Sequence, residues 1–195
     1  MRRKRFVLLD RDGTVVVDRG HLSDPDELEL IEGAGPALAR LQELGLGLLL
    51  VSNQSVIGRG LLDAPGLELV HERLARLLAE HDVSLDGIYF CPHLPEEGCA
   101  CRKPATALVE RAAAQHHFDP AESFVVGDKG SDIELGRRVG ATTILVRTGY
   151  GQAAAADPAV LPDHIAADLG QAARVIASLL DARAATATGE GNGGG

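Results

Sequence analysis

The chain reads as an α/β fold in which a parallel sheet of five or six strands carries helices on both faces. Three observations predict it. Short, β-rich apolar runs alternate with longer segments of helical period from one end to the other. Runs such as Phe6–Leu9 and Leu46–Val51 are continuously apolar, as strands covered on both faces are. The length of 195 residues suits one domain with a full-sized core.

Each element follows in order. Phe6–Leu9 is a first buried strand ending at Asp10, and Gly33–Leu44 is a helix with apolar residues at 34, 37, 38, 41 and 44 and Gly45 as its stop. Leu46–Val51 is a second strand closing on Ser52-Asn53-Gln54-Ser55. Gly66–His81 is an amphipathic helix with Leu67, Val70, Leu74, Leu77 and Leu78 on one face. Asp86–Phe90 gives a third strand, and Pro104–His116 a helix with proline near its start, where a missing N–H costs little. Ser123–Val126 is a fourth strand closing on Gly127-Asp128; Ile133–Val139 is helical, Thr142–Val146 a fifth strand and Ala166–Ala182 a last helix. Residues 1–183 form the single domain, and 184–195, Gly-rich and without apolar pattern, are expected to be disordered. Residues 18–29 make the longest insertion, too short for a folded cap.

Bulk properties narrow the function. A formal net charge of −9 argues against a general nucleic-acid or anionic-membrane surface. The apolar runs are too short to span a bilayer, and the basic stretch Met1–Arg5 precedes only four apolar residues, so no signal-peptide core follows it. Three cysteines within eleven residues argue against a disulfide framework and for a reducing compartment. A cytoplasmic monomer acting on a small molecule is expected.

In such a sheet ligands sit beyond the carboxyl ends of the strands, where the polar residues of this chain collect. Asp10 and Asp12 follow strand one, Ser52 and Asn53 strand two, 91–103 strand three, Asp128 and Asp132 strand four. Two carboxylates one residue apart at the mouth of a buried strand need a cation or proton, and with Asp128 they resemble a hard-cation site of the kind magnesium prefers. A carboxylate is also a nucleophile toward phosphorus. The plainer reading, Asp12-Gly13 as a capped turn, leaves the other strand ends unexplained. Cys91, His93, Cys99 and Cys101 form a C-x-H-x5-C-x-C set that suits tetrahedral zinc with no open position, hence a structural site; incidental thiols are the alternative.

These residues carry a resemblance to the haloacid dehalogenase superfamily of phosphatases, which share a Rossmann-like sheet. Asp10-Arg-Asp-Gly-Thr14 matches its DxDGT motif, Ser52 its second, Lys103 its third, and Gly127, Asp128 and Asp132 its GDxxxD. The resemblance spans roughly residues 5–150. It implies Asp10 as nucleophile and Asp12 as general acid and later base. Magnesium would be held by Asp10, the Asp12 backbone carbonyl and Asp128. Ser52 and Lys103 would neutralise the phosphoryl oxygens, and Asp132 would orient a metal-bound water or Lys103.

Within the superfamily, the zinc loop is similar to two groups, one acting on heptose bisphosphates at the 7-phosphate and one on histidinol phosphate. In length the loop is close to the second group. Ser52-Asn-Gln-Ser-Val-Ile-Gly-Arg-Gly60, Val126–Lys129 and Leu145–Gly149 look like the first. That similarity implies a small phosphorylated sugar as substrate, feeding lipopolysaccharide or another surface glycan. Its contacts would be Arg11, Asp18, Arg19, Gly20, His21, Ser52, Asn53, Gln54, Ser55, Arg59, Arg102, Lys103 and Lys129. Arg102 would recognise the distal phosphate or the sugar, and Arg59 either joins it or packs on the following helix. Val56 and His21 depart from the group's usual glycine and tyrosine. A non-catalytic zinc-stabilised interaction module is the alternative of a different class; it predicts a missing carboxylate, whereas all three are present.

Overall fold

The computed structural model describes residues 4–20 and 22–189, with side chains to 185. Six strands form one sheet in the order β3-β2-β1-β4-β5-β6: β1 (Phe6–Leu9), β2 (Gly47–Asn53), β3 (Gly87–Cys91), β4 (Phe124–Gly127), β5 (Thr142–Val146) and β6 (His164–Ala166). Every pairing is parallel, so each crossover needs a covering segment, and the helices between strands supply it. They are α1 (Ala34–Glu43), α2 (Ser55–Gly58), α3 (Ala64–Ala79), α4 (Ala107–His116), α5 (Gly130–Arg138), α6 (Gly151–Ala154) and α7 (Leu169–Gly189).

The strand side chains divide by parity. Val7, Leu9, Leu48, Leu50, Phe124, Val126, Ile144 and Val146 pack into one core with Leu38 and Leu41 of α1, Leu67, Val70, Leu74 and Leu78 of α3, and Ala172, Ala173 and Ile176 of α7. Phe6, Leu8, Leu49, Val51, Tyr89 and Val125 face the other way, onto Leu108, Val109 and Ala112 of α4 and Leu135 of α5. Both faces are thus dry, which is why the strands read as unbroken apolar runs.

The expected elements are all present, with shifted ends. The helix expected from Pro104 begins at Ala107, because 104–106 form the turn that carries the chain away from the sheet edge. The final helix runs on to Gly189 rather than stopping at 182, so 184–189 continue a helix instead of a disordered tail; residues 190–195 lie outside the described ones. β6, α2 and α6 were not singled out by the sequence pattern. Among the described residues no helix is long and apolar enough to cross a membrane.

Candidate active site

The strand order reverses between β1 and β4, each of which leads outward from that line, and a crevice opens there at the carboxyl ends. Leu9 pairs with Val126, and the Asp10 N–H donates to the Val126 carbonyl at 3.0 Å. Asp10 and Asp128 therefore leave adjacent strands side by side. Asp132 sits in the first turn of α5, its Oδ2 accepting the Lys129 N–H at 3.0 Å. Gly127 makes this possible, since a Cβ there would run into the Asp132 side chain. Carboxylate oxygens of Asp10, Asp128 and Asp132 all lie within 4.8 Å of one another, and all three residues are buried.

Lys103 reaches this cluster from the loop after β3. Its ammonium donates to Asp10 Oδ1 at 2.7 Å and to the Val51 carbonyl at 2.6 Å, and stands 2.7 Å from Asp132 Oδ1. Burial alone would lower the Lys103 pKa, but Asp10 and Asp132 outweigh it and hold the group firmly protonated. For Asp10 burial works the other way and is outweighed by Lys103 and Lys129, so its pKa falls below the ordinary 3.8.

Asp128 is different. Its Oδ2 accepts the Tyr150 N–H at 2.8 Å, while its buried Oδ1 has no hydrogen-bond partner, Lys129 Nζ lying 3.9 Å away. Burial and the charge of Asp10 push its pKa up to about 7. An orphaned, buried carboxylate oxygen beside two further carboxylates is a site that a divalent cation fits. The loop after β5 holds Asp128 in place: the Thr148 hydroxyl donates to the Gly13 carbonyl at 2.6 Å, and a Cβ on Gly13 (φ +85°) or Gly149 (φ +52°) would strike the Asp128 carboxylate. The sequence marks this loop through the likeness of Leu145–Gly149 to the heptose group, but gives it no role beside Asp128; a glycine just past a strand end was the signal for that role.

The remaining expected residues separate into those that face the cluster and those that support it. Lys129 Nζ is 3.2 Å from Asp18 Oδ2 and 4.0 Å from Asp10 Oδ2, so Asp18 and Lys129 meet at the aspartates. Asp18 and Gly20 line a cavity of about 420 Å³ with Gly13, Val17, Thr148 and Tyr150. Ser52 is buried, its Oγ accepting from Gln54 Nε2 at 2.6 Å. Asn53 clamps the Lys103 backbone, donating to its carbonyl at 3.2 Å and accepting its N–H at 3.0 Å. Ser55 begins α2 and Arg59, exposed, follows its last residue as the cap.

Arg11, expected at the substrate, is only 2% exposed. Its Nε and Nη2 donate to the Asp12 carboxylate at 2.9–3.0 Å and Nη2 also to Gln54 Oε1 at 2.9 Å. Gln54 Nε2 adds a third donor to Asp12, at 2.9 Å. The Asp12 side chain is thus aimed by Arg11 and Gln54 and stands apart from the Asp10–Asp128–Asp132 cluster, where Asp132 takes the third place. Arg19 is tied to its own loop through the Glu27 carbonyl and Glu29, and Arg102 donates to the His93 carbonyl at 3.1 Å. Both arginines brace loops. His21 lies outside the described residues.

The second cluster follows β3. Cys91, Cys99 and Cys101 place their sulfurs 3.2–3.5 Å apart, and His93 Nδ1 is 3.5 Å from Cys91 and 3.2 Å from Cys101. The three cysteines are free thiols. These distances approach the edges of about 3.8 Å of a tetrahedron of sulfurs around zinc. Burial, then the Cys101 thiol, pushes Cys91 up to about 12. At Cys99 burial is outweighed by the Cys101 N–H and the neighbouring thiols, leaving about 7. Packed thiolates so uneven need a cation to ionise together, which the donor set fits. The loop is joined to the catalytic end, for Gln54 N–H donates to the Cys91 carbonyl at 2.7 Å and Gly58 N–H to that of Pro92 at 3.0 Å.

Known proteins resemble this chain in sequence and in fold. A family model described as HAD-hydrolase-like matches residues 100–172. The D-glycero-beta-D-manno-heptose-1,7-bisphosphate 7-phosphatase of Haemophilus ducreyi is 42% identical over 154 residues, 75% of this chain and 85% of its own. The D-glycero-D-manno-heptose-1,7-bisphosphate 7-phosphatase of Chlorobaculum tepidum is 38% identical over 186 residues, 88% of this chain and 94% of its own. Among solved structures, the D,D-heptose 1,7-bisphosphate phosphatase of B. bronchiseptica, complexed with magnesium and phosphate, superposes with a TM-score of 0.83 at 34% identity, covering 89% of this chain and 98% of the other. The enzyme of the same name from Burkholderia thailandensis gives a TM-score of 0.70 at 32% identity, with coverages of 90% and 99%.

Proposed function

The chain belongs to the family of D-glycero-D-manno-heptose-1,7-bisphosphate 7-phosphatases, within the haloacid dehalogenase-like hydrolases, and from that premise we propose that it hydrolyses the 7-phosphate of a heptose 1,7-bisphosphate through an aspartyl-phosphate. The observation that carries the reading is the convergence of Asp10, Asp128, Asp132 and Lys103, from three strand ends, in one buried cluster.

The chemistry divides among the chain's own groups. Asp10 attacks phosphorus as the ester O–P bond breaks, and Asp12, aimed by Arg11 and Gln54, delivers a proton to the departing sugar oxygen. Asp12 then takes a proton from the water that attacks the aspartyl-phosphate, freeing inorganic phosphate and restoring Asp10. Lys103 and Lys129, both charged, face the nucleophile and offset charge that grows on the phosphoryl oxygens. Asp132 positions Lys103, and Asn53 fixes its backbone. Magnesium, held by Asp10 and Asp128 with the Asp12 carbonyl, would supply further charge neutralisation at those oxygens. Zinc on Cys91, His93, Cys99 and Cys101 would fix the loop that presents Arg102 and Lys103. Free, closely packed thiols fit a reducing, cytoplasmic compartment.

Phosphate release from heptose 1,7-bisphosphate (both anomers) and from histidinol phosphate, each with magnesium, tests the assignment. Preference for the heptose bisphosphate is expected; preference for histidinol phosphate would overturn the substrate while leaving the phosphatase chemistry standing.

A further inference from the structure

The loop after β5 that holds Asp128 also carries Tyr150, and that side chain has no task in the scheme above. The chain has six aromatic residues, four Phe and two Tyr. Phe6, Tyr89, Phe118 and Phe124 are buried, whereas Tyr150 is 57% exposed. It is nonetheless held. Its backbone N–H is fixed on Asp128, and Lys129 Nζ lies 5.0 Å from its ring centroid, a distance at which an ammonium is attracted to an aromatic face. Because Lys129 is itself within 4.0 Å of Asp10, Asp18 and Asp128, the ring lies against the lysine that faces the nucleophile, in place before any ligand arrives. Such preorganisation lowers the entropy cost of binding.

The ring is a wall common to two cavities of about 420 Å³ each. One is bounded also by Val17, Asp18, Ile31 and Thr148, the other by Lys129, Ala154, Asp157 and Val160. Charge decides what portion of a substrate lies there. The first cavity offers a carboxylate and no cation, and in the second Lys129 is opposed by Asp157, besides being paired with Asp18. A second phosphate finds no uncompensated cation in either. An uncharged polyol does better, with C–H groups on the ring, Val17 and Ile31, and hydroxyls near Asp18 and Thr148.

We propose that Tyr150 is a specificity-determining residue whose ring packs against the carbon skeleton of the sugar while its phosphoryl group rests on Asp10. The inference rests on the sugar-phosphatase reading above and adds to it the surface that selects a sugar over smaller phosphates. The test compares kcat/KM for heptose 1,7-bisphosphate and for acetyl phosphate, which has no carbon ring, in the wild type, Tyr150→Phe and Tyr150→Ala. In Tyr150→Ala the ratio of the two values is expected to fall about tenfold, mainly through KM for the sugar, which corresponds to about 1.4 kcal/mol. Tyr150→Phe, which keeps the ring, is expected to hold the ratio within about twofold. An unchanged ratio in Tyr150→Ala overturns the proposal, and so does an equal loss on both substrates, which would mean that the ring acts only through Lys129 and Asp128. If the wild type prefers another sugar phosphate, that substrate takes the place of the heptose in the ratio, so the substrate assignment and the role of the ring fail separately.

Discussion

Replacing Lys103 by Met keeps the length of the side chain and removes the charge at the centre of the cluster. The side chains of Lys103, Asp10 and Asp132 are 4%, 5% and 1% exposed, so water cannot substitute for the ammonium. Two carboxylates and the Val51 carbonyl lose a donor that stands 2.6–2.7 Å from each. Breaking a buried pair by removing one partner costs roughly 3–5 kcal/mol, which for a chain of this size lowers Tm by about 6–20 °C. The pH dependence gives the sign. In the wild type Asp10 sits below its ordinary value of 3.8, so its contribution is present above that value and is lost as pH falls through the folded one. In the variant burial is no longer opposed by Lys103, and the folded values of Asp10 and Asp132 rise. The deficit is then greatest near pH 8 and shrinks as pH falls and these carboxyls take up protons. Thermal unfolding followed by circular dichroism at pH 8 and pH 5, in magnesium-free buffer, measures it, and phosphate release with magnesium should fall by about 10²–10³ for one lost transition-state donor. A variant as stable as the wild type at pH 8, or one whose deficit grows on acidification, would refute the reasoning.

Gly149→Ala, at φ +52° and against both Asp128 and the Gly13 backbone, should displace the loop that aims Asp128 and weaken magnesium binding by about 10- to 100-fold; titration calorimetry checks this, and unchanged affinity contradicts the loop's role. Cys99→Ser should lower zinc content and Tm before it affects turnover, and metal analysis that finds the same zinc per chain would remove Cys99 from the ligand set. His71, buried on α3 with its ring 5.7 Å from that of Phe90, has its pKa brought from 6.5 to about 4 by burial and then by Arg11. The unfolded chain binds this proton first, so stability is full above 6.5 and is lost as pH falls toward 4, about 2 kcal/mol of it by pH 5; urea unfolding at pH 7.5 and 5 should show that slope, and His71→Leu should flatten it.

The strand ends were legible because a parallel sheet dried on both faces forces continuous apolar runs, and polar residues can appear only where each run leaves the core. Asp10, Ser52 and Asp128 stood out for that reason. β6 did not, since three residues, His164–Ala166, are too few to show a period and Pro158 and Pro162 stand just before them. The extension of α7 past 182 follows from the helix propensity of its alanines rather than from any apolar stripe. What sequence position could not give is the direction in which a side chain turns. Arg11 and Asp12 are neighbours at one strand end, yet the first is spent aiming the second; Asn53 lies among expected substrate contacts, yet it clamps Lys103.

The charges of the site, taken together, say why a divalent ion belongs there. Asp10, Asp12, Asp18, Asp128 and Asp132 bring five carboxylates, and Arg11, Lys103 and Lys129 bring three cations that contact them directly or within 4.0 Å. Two negative charges remain. They are not spread evenly: Asp12 is held by Arg11, Asp18 by Lys129, and Asp10 and Asp132 share Lys103 at 2.7 Å each, so the carboxylate left without a close cation is Asp128, with Lys129 no nearer than 3.9 Å. That is the carboxylate with the orphaned oxygen and the raised pKa of about 7. A doubly charged cation at that oxygen restores balance at the point of excess, after which an arriving phosphoryl dianion meets two lysines and the ion rather than a bare cluster of carboxylates.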